Sequence, residues 1–138
     1  MIELLLSIAL SLGFQGEEVD ETVRVIDSVV QNESETILDT KEEDEVLLTL
    51  WAARESGFHR CIAGDGGKAL GILQLHHSSL SIACNRQLAT EEWIRRAHAS
   101  IQACGDLTVI ASGQCGRGKT LVQQRIAFAR QLLKRAEK

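Results

Sequence analysis

Proline and tyrosine are absent from this chain, and aromatic side chains are scarce, with three phenylalanines and two tryptophans. The lack of proline excludes a proline-rich stalk or linker. The shortage of rings argues against the rows of stacking platforms that generic single-strand nucleic-acid binders use. No apolar run reaches the ~18 residues that a transmembrane helix needs. No pair of cysteines stands as C-x-x-C, so neither a zinc knuckle nor a thioredoxin-type motif is supported.

What is present is an ordinary globular composition, 138 residues at 44% hydrophobic and 25% charged, enough for one domain with a single core. The formal charge of -4 hides an asymmetry. Residues 1–45 carry thirteen acids against Arg24 and Lys41, a net of -11. Residues 46–138 carry six acids against thirteen bases, a net of +7. Such a division fits either two differently charged helical surfaces in one domain or a basic half that meets an anionic polymer.

Leu4 to Leu12 is apolar, but the only early charge is Glu3 and the first base is Arg24. A secretory signal wants a basic leading segment, so the stretch reads as a first helix rather than a convincing signal peptide. Val19, Val23, Ile26 and Val30 recur at helical spacing and predict an amphipathic helix over 18–31. Thr40 followed by Glu43 has capping-box spacing and opens a helix over about 41–56, with Val46, Leu47, Leu50 and Trp51 inward and Gly57 as its stop. Residues 63–75 are glycine-rich, with a short extended piece expected at 72–75. Thr90 with Glu91 and Glu92 reads as the next helix start. A final helix from about Thr120 turns Val122, Ile126, Ala129 and Leu133 to one face, with Arg125, Arg130, Lys134 and Arg135 largely off it. The fold class is therefore mainly α with a small glycine-rich loop or β element. The division expected is an acidic helical segment, 1–40, packed on or leading into a domain over 41–138.

Two motifs fail on context. Gly113–Thr120 fits the phosphate-loop pattern G-x-x-x-x-G-K-[ST], and Leu107–Ile110 before it could pass as a strand. Only eighteen residues follow Thr120, all in one helix, which leaves no room for the further strands and metal-holding acid a nucleotide site needs. A glycine-rich turn between helices is the favoured reading, with no nucleotide expected. His59 with Cys61, and His76-His77 with Cys84, match no defensible zinc spacing, so no metal or cofactor is expected. Cys61, Cys84, Cys104 and Cys115 allow three disulfide connectivities, and spacing does not choose among them.

Glu55 is the most informative residue. Trp51 lies four residues before it, so Glu55 stands over the apolar side of its helix. A carboxyl beside an indole and partly out of water is pushed toward its protonated form. That form is what cleavage of a glycosidic bond needs from a proton donor. The plainer alternative is a helix-end glutamate paired with Arg54 or Arg60.

Ala53-Arg54-Glu55-Ser56-Gly57-Phe58 followed by Gly71-Ile72-Leu73-Gln74-Leu75 resembles the lysozyme-like lytic transglycosylases, which carry a Glu-Ser pair at a helix end and then a Gly-Leu-Met-Gln-like segment. Asp65 falls where goose-type lysozymes of the same superfamily place an acid ahead of that segment. Ile110-Ala111-Ser112-Gly113-Gln114-Cys115 is similar to the Tyr-Ala-Ser-Gly-x-Cys element of phage and myxobacterial relatives. The resemblance covers about residues 41–135. It departs at Ile110, which replaces the tyrosine, and at His76, which stands near a further goose-type acid.

The resemblance implies a lysozyme-like helical domain acting on peptidoglycan glycan strands between N-acetylmuramic acid and N-acetylglucosamine, with no nucleic acid as partner. Glu55 would act as acid and then base. Ser56 would orient it, and Asp65, Gly71, Gln74 and Ser112 would line the substrate. Two alternatives stay open: a goose-type muramidase that uses Asp65 to activate water, and a wall-binding or phage virion protein of little activity that works beside other phage or envelope proteins. Work in the periplasm, outside the cell or in a virion implies oxidised cysteines, expected as Cys61–Cys84 and Cys104–Cys115.

Overall fold

The computed structural model describes residues 1–137. Among them are seven α-helices and one small antiparallel sheet. In chain order they are α1 (Ile2–Ser11), α2 (Glu17–Gln31), α3 (Lys41–Ser56), β1 (Ala63–Gly64), a 3-10 turn at Asp65–Gly67, β2 (Ala69–Leu70), β3 (Leu75–His76), α4 (Leu80–Ala83), α5 (Arg86–Cys104), α6 (Thr108–Ser112) and α7 (Lys119–Ala136). The mainly helical class with a small β element is the observed one.

α3 is the central element, because α1, α2 and α7 all pack on it. Every side chain from Asp44 to Ala53 is buried, so this helix has no solvated face over that span. Its ends follow the sequence chemistry. Thr40 Oγ1 accepts from the Glu43 N–H at 3.1 Å, and Gly57 closes the helix in the left-handed region at φ 60°. Trp51 and Trp93 of α5 meet edge to face with centroids 5.3 Å apart. The acidic segment 1–40 contributes Leu5, Ile8, Val23, Ile26 and Val30 to the same core as Ile72, Trp93 and Leu133.

The two charged halves are tied to each other. Arg86 of α5 bonds Glu21 at 2.9 Å and Thr22 at 3.1 Å on α2, and Arg130 of α7 bonds Glu43 and Asp39. Part of the basic half's charge is thus directed inward at the acidic half. Two buried carboxyls lie in the first half. Asp44 accepts from the backbone N–H groups of Ile37 and Leu38 at 2.8 and 2.7 Å, and burial pushes it up from the ordinary aspartate range. Glu45 is fully buried beside Asp27, and burial pushes it up to about 9.

The structure differs from the sequence reading at two places. α5 begins at Arg86, not at Thr90, because Asn85 Oδ1 caps the Leu88 N–H at 2.9 Å; Thr90 sits inside the helix and donates to the Arg86 carbonyl. The extended piece expected at 72–75 shrinks to Leu75–His76, since Gly71 to Gln74 form a turn closed by the Gln74 N–H on the Gly71 carbonyl. The phosphate-loop pattern is the glycine-rich turn between helices that was favoured: it runs from the end of the short helix α6, Thr108–Ser112, into the start of α7, and no strand precedes it.

Both expected disulfides are formed. Cys61–Cys84 closes the segment that holds the sheet, and Cys104–Cys115 joins the end of α5 to the turn before α7. No helix among the described residues is long and apolar enough to cross a membrane.

Candidate functional site

Glu55 occupies the last turn of α3, where the helix hands over to the segment carrying the sheet. Its side chain is 28% exposed. The neighbour expected for it was the indole of Trp51, but another group has taken that place. Arg125 of α7 lays its guanidinium over the Trp51 ring, 4.4 Å from the centroid, and its Nη2 donates to Glu55 Oε2 at 2.7 Å. Glu55 is therefore hydrogen-bonded to a cation, not a lone carboxyl against an indole. Its partner is neither Arg54 nor Arg60. Arg54 lies over the Phe128 ring at 5.7 Å, and Arg60 donates to the Cys84 carbonyl at 2.8 Å.

Ser56 does not bond Glu55 either. Its buried hydroxyl lies 2.7 Å from the Ile72 carbonyl and 3.1 Å from that of Ala52, so it joins the end of α3 to the turn at 71–74. That bond, with Ile72 and Leu73 buried in the core, holds the segment after Gly71 beside the Glu55 turn. The same two sequence motifs that lie sixteen residues apart are thus neighbours in space.

The turn itself is braced by its own residues. Gly71 has φ 78°, and a Cβ there would overlap the Ala83 carbonyl of α4, so no other residue fits. Gln74 stands at φ 51° and folds its amide back, donating through Nε2 to the Ile62 carbonyl at 3.0 Å and the Gly71 carbonyl at 2.9 Å. Its Oε1 faces Gly64, where a side chain would collide with it. The amide expected to hold sugar atoms thus has its donors committed to the hairpin. Arg96 of α5 clamps the outer strand, donating to the His76 carbonyl at 2.6 Å, and is itself held by Glu92. Hydrogen bonding from Arg95, with Arg96 behind it, holds Glu92 down to about 2 against the effect of burial.

Asp65 stands at the hairpin's 3-10 turn with φ 50°, its side chain 66% exposed, and His76 Nε2 lies 3.8 Å from Oδ2. The histidine that departs from the goose-type pattern is therefore Asp65's neighbour. Ser112 ends α6, and its hydroxyl is engaged by the carbonyls of Thr108, Gln114 and Arg117 and by the Gln114 N–H, which folds the 112–117 turn. Ile110, in the position of the missing tyrosine, is partly buried against the core. Among the described residues no three His, Cys, Asp or Glu side chains converge as a metal-holding set.

A cavity of about 700 Å³ lies on another side, between α2, α4 and the start of α5. Three arginines reach it, but Arg24 is paired with Asp20, Arg86 with Glu21, and Arg60 is hydrogen-bonded to Cys84. It includes none of the site residues named above apart from Cys84, so the chemistry is assigned from Glu55 and its surroundings, not from the size of a hollow.

Sequence reading did not find Arg125. It was expected largely off the apolar face of α7, but it stands three residues after Val122 and four before Ala129, and its side chain is turned onto Trp51 of α3 with 12% exposure. The chain matches no family model, no curated protein and no solved structure.

Proposed function

We propose that the chain cleaves peptidoglycan glycan strands as a lytic transglycosylase, at the bond between N-acetylmuramic acid and N-acetylglucosamine, with Glu55 as the acid and base. One observation supports this above others. The Glu55–Ser56 helix end and the Gly71–Gln74 turn, the two motifs of the resemblance, are brought together by the Ser56–Ile72 hydrogen bond.

In this reading Glu55 protonates the glycosidic oxygen as the bond to the anomeric carbon breaks. The acetamido oxygen of the muramic residue closes on that carbon. Glu55, now the carboxylate, takes the proton from the O6 hydroxyl, and O6 displaces the acetamido oxygen to leave a 1,6-anhydro end. No water and no second carboxylate enter. Asp65, exposed at a turn beside His76, holds the hairpin tip or meets sugar. Disulfides suit work outside the cytoplasm.

A different observation favours the wall-binding alternative: the Gln74 amide and the Ser112 hydroxyl, expected to meet substrate, are engaged by backbone carbonyls. Purified sacculi separate the readings. Release of muropeptides lighter by one water than hydrolysis products is expected from the wild type. In Glu55→Gln the rate is expected to fall by about 10²–10⁴-fold or more, since the same group serves as acid and base. Reducing-end products lost in Asp65→Asn would make the protein a muramidase. Binding without release would make it a wall-binding protein.

A further inference from the structure

We propose that Arg125 is the positioning residue of this site: it fixes the Glu55 carboxyl through Oε2 and leaves Oε1 to face the glycosidic oxygen. The role rests on the wall-cleaving reading of Glu55.

Arg125 is the better anchored of the pair. Its side chain is only 12% exposed, its guanidinium carbon lies over the Trp51 ring 4.4 Å from the centroid, and α7 packs along α3. A cation within about 6 Å of an indole face is attracted to it, more so when water is excluded. Trp51 is itself wedged against Trp93. Glu55, by contrast, sits on the last turn of its helix with 28% of its side chain exposed, and among the described residues Arg125 is the one group that donates to it. Remove the arginine and the carboxyl loses the contact that selects its rotamer.

The contact also suits the chemistry. An arginine N–H donates to the carbonyl oxygen of a neutral carboxyl as well as to a carboxylate, so the hold persists through proton transfer. As the proton leaves Oε1, negative charge develops on the carboxyl beside a cation already in place, where a fixed charge has most effect. Among the described residues, nothing hydrogen-bonds the buried Arg125 Nη1.

The experiment measures kcat and KM on sacculi for the full oxidised chain as wild type, Arg125→Gln and Arg125→Lys, with thermal unfolding of each. Misplacing a reacting group by about 1 Å costs on the order of 10²-fold. Arg125→Gln is therefore expected to lower kcat by about 100-fold with KM within about threefold. Lysine keeps the charge but not the planar stack, so it is expected to recover about tenfold of that loss. Should the glutamine variant not fold, a drop of about tenfold in kcat at unchanged KM in Arg125→Lys carries the same conclusion. An effect confined to KM, a lysine variant no better than a folded glutamine variant, or full kcat in Arg125→Gln overturns the positioning role alone. A wild type that releases nothing overturns the wall-cleaving reading and the positioning role together.

Discussion

Replacing Glu45 by glutamine is expected to stabilise the protein, by an amount that grows with pH. Glu45 is fully buried in α3, and among the described residues neither of its carboxyl oxygens has a hydrogen-bond partner. The groups that face it are the Asp27 carboxyl of α2, Glu42 one turn back on α3, and the Met1 amino group. A hydrogen bond between two carboxyls exists only when one of them carries a proton. Burial first, and Asp27 second, push Glu45 from 4.5 to about 9. The folded chain therefore binds a proton that the unfolded chain releases. Stability from this group is fully present below 4.5 and is lost as pH rises toward 9. Between 4.5 and pH 7, at about 1.36 kcal/mol per pH unit, the loss amounts to about 3 kcal/mol. Glutamine is neutral throughout and places no charge beside Asp27 at any pH. Urea unfolding followed by the fluorescence of Trp51 and Trp93, both buried, would compare the two proteins at pH 5, 7 and 8.5. The curves should lie within about 1 kcal/mol at pH 5. The variant should lead by about 3 kcal/mol at pH 7, close to 10 °C in melting temperature for a chain of this size. A gap that stays constant from pH 5 to 8.5, or a variant that loses stability with pH as steeply as the wild type, would refute the reasoning.

Two further outcomes follow from the packing around the turn at 71–74. Gly71→Ala should lower stability by roughly 2 kcal/mol or more, because the added methyl meets the Ala83 carbonyl and the residue keeps a positive φ; a melting temperature within 2 °C of wild type would contradict the contact. Removing Cys104 and Cys115 together as serines should cost about 3 kcal/mol for a bridge spanning 11 residues, and mass spectrometry without reductant should find no alkylatable thiol in the wild type.

Helix existence was legible because it rests on periodicity and caps. The Val19–Val30 stripe and the Thr40–Gly57 pair mark α2 and α3 within a residue of their ends. The start of α5 was misplaced because Thr90 and Asn85 carry similar capping chemistry, and only the tertiary position of the chain decides which side chain meets a free N–H. The depth of α3 was understated. Asp44, Glu45 and Thr49 look like a solvated face, yet α1, α2 and α7 enclose the helix, and helical spacing alone does not count neighbours. At the candidate site, Glu55 and the turn at 71–74 were marked by motif. The hydrogen bonds of Ser56, Gln74 and Ser112 were not, since a polar side chain reads the same in sequence whether it faces ligand or backbone. The Glu55–Arg125 pair joins residues seventy positions apart, a distance at which no local pattern carries information.

The two bridges also set how far the chain can be drawn out. Both lie after Arg60, so the first sixty residues, with α1, α2 and α3, carry no covalent tie. A molecule pulled from its ends could extend that part fully, while the stretches of 23 and 11 residues inside the bridges would stay looped. At about 3.3–3.6 Å per residue, the oxidised chain stops roughly 110 Å short of the reduced one. End-to-end length under force would thus report the redox state of one molecule at a time, and a step of about half the larger loop would show which bridge had opened.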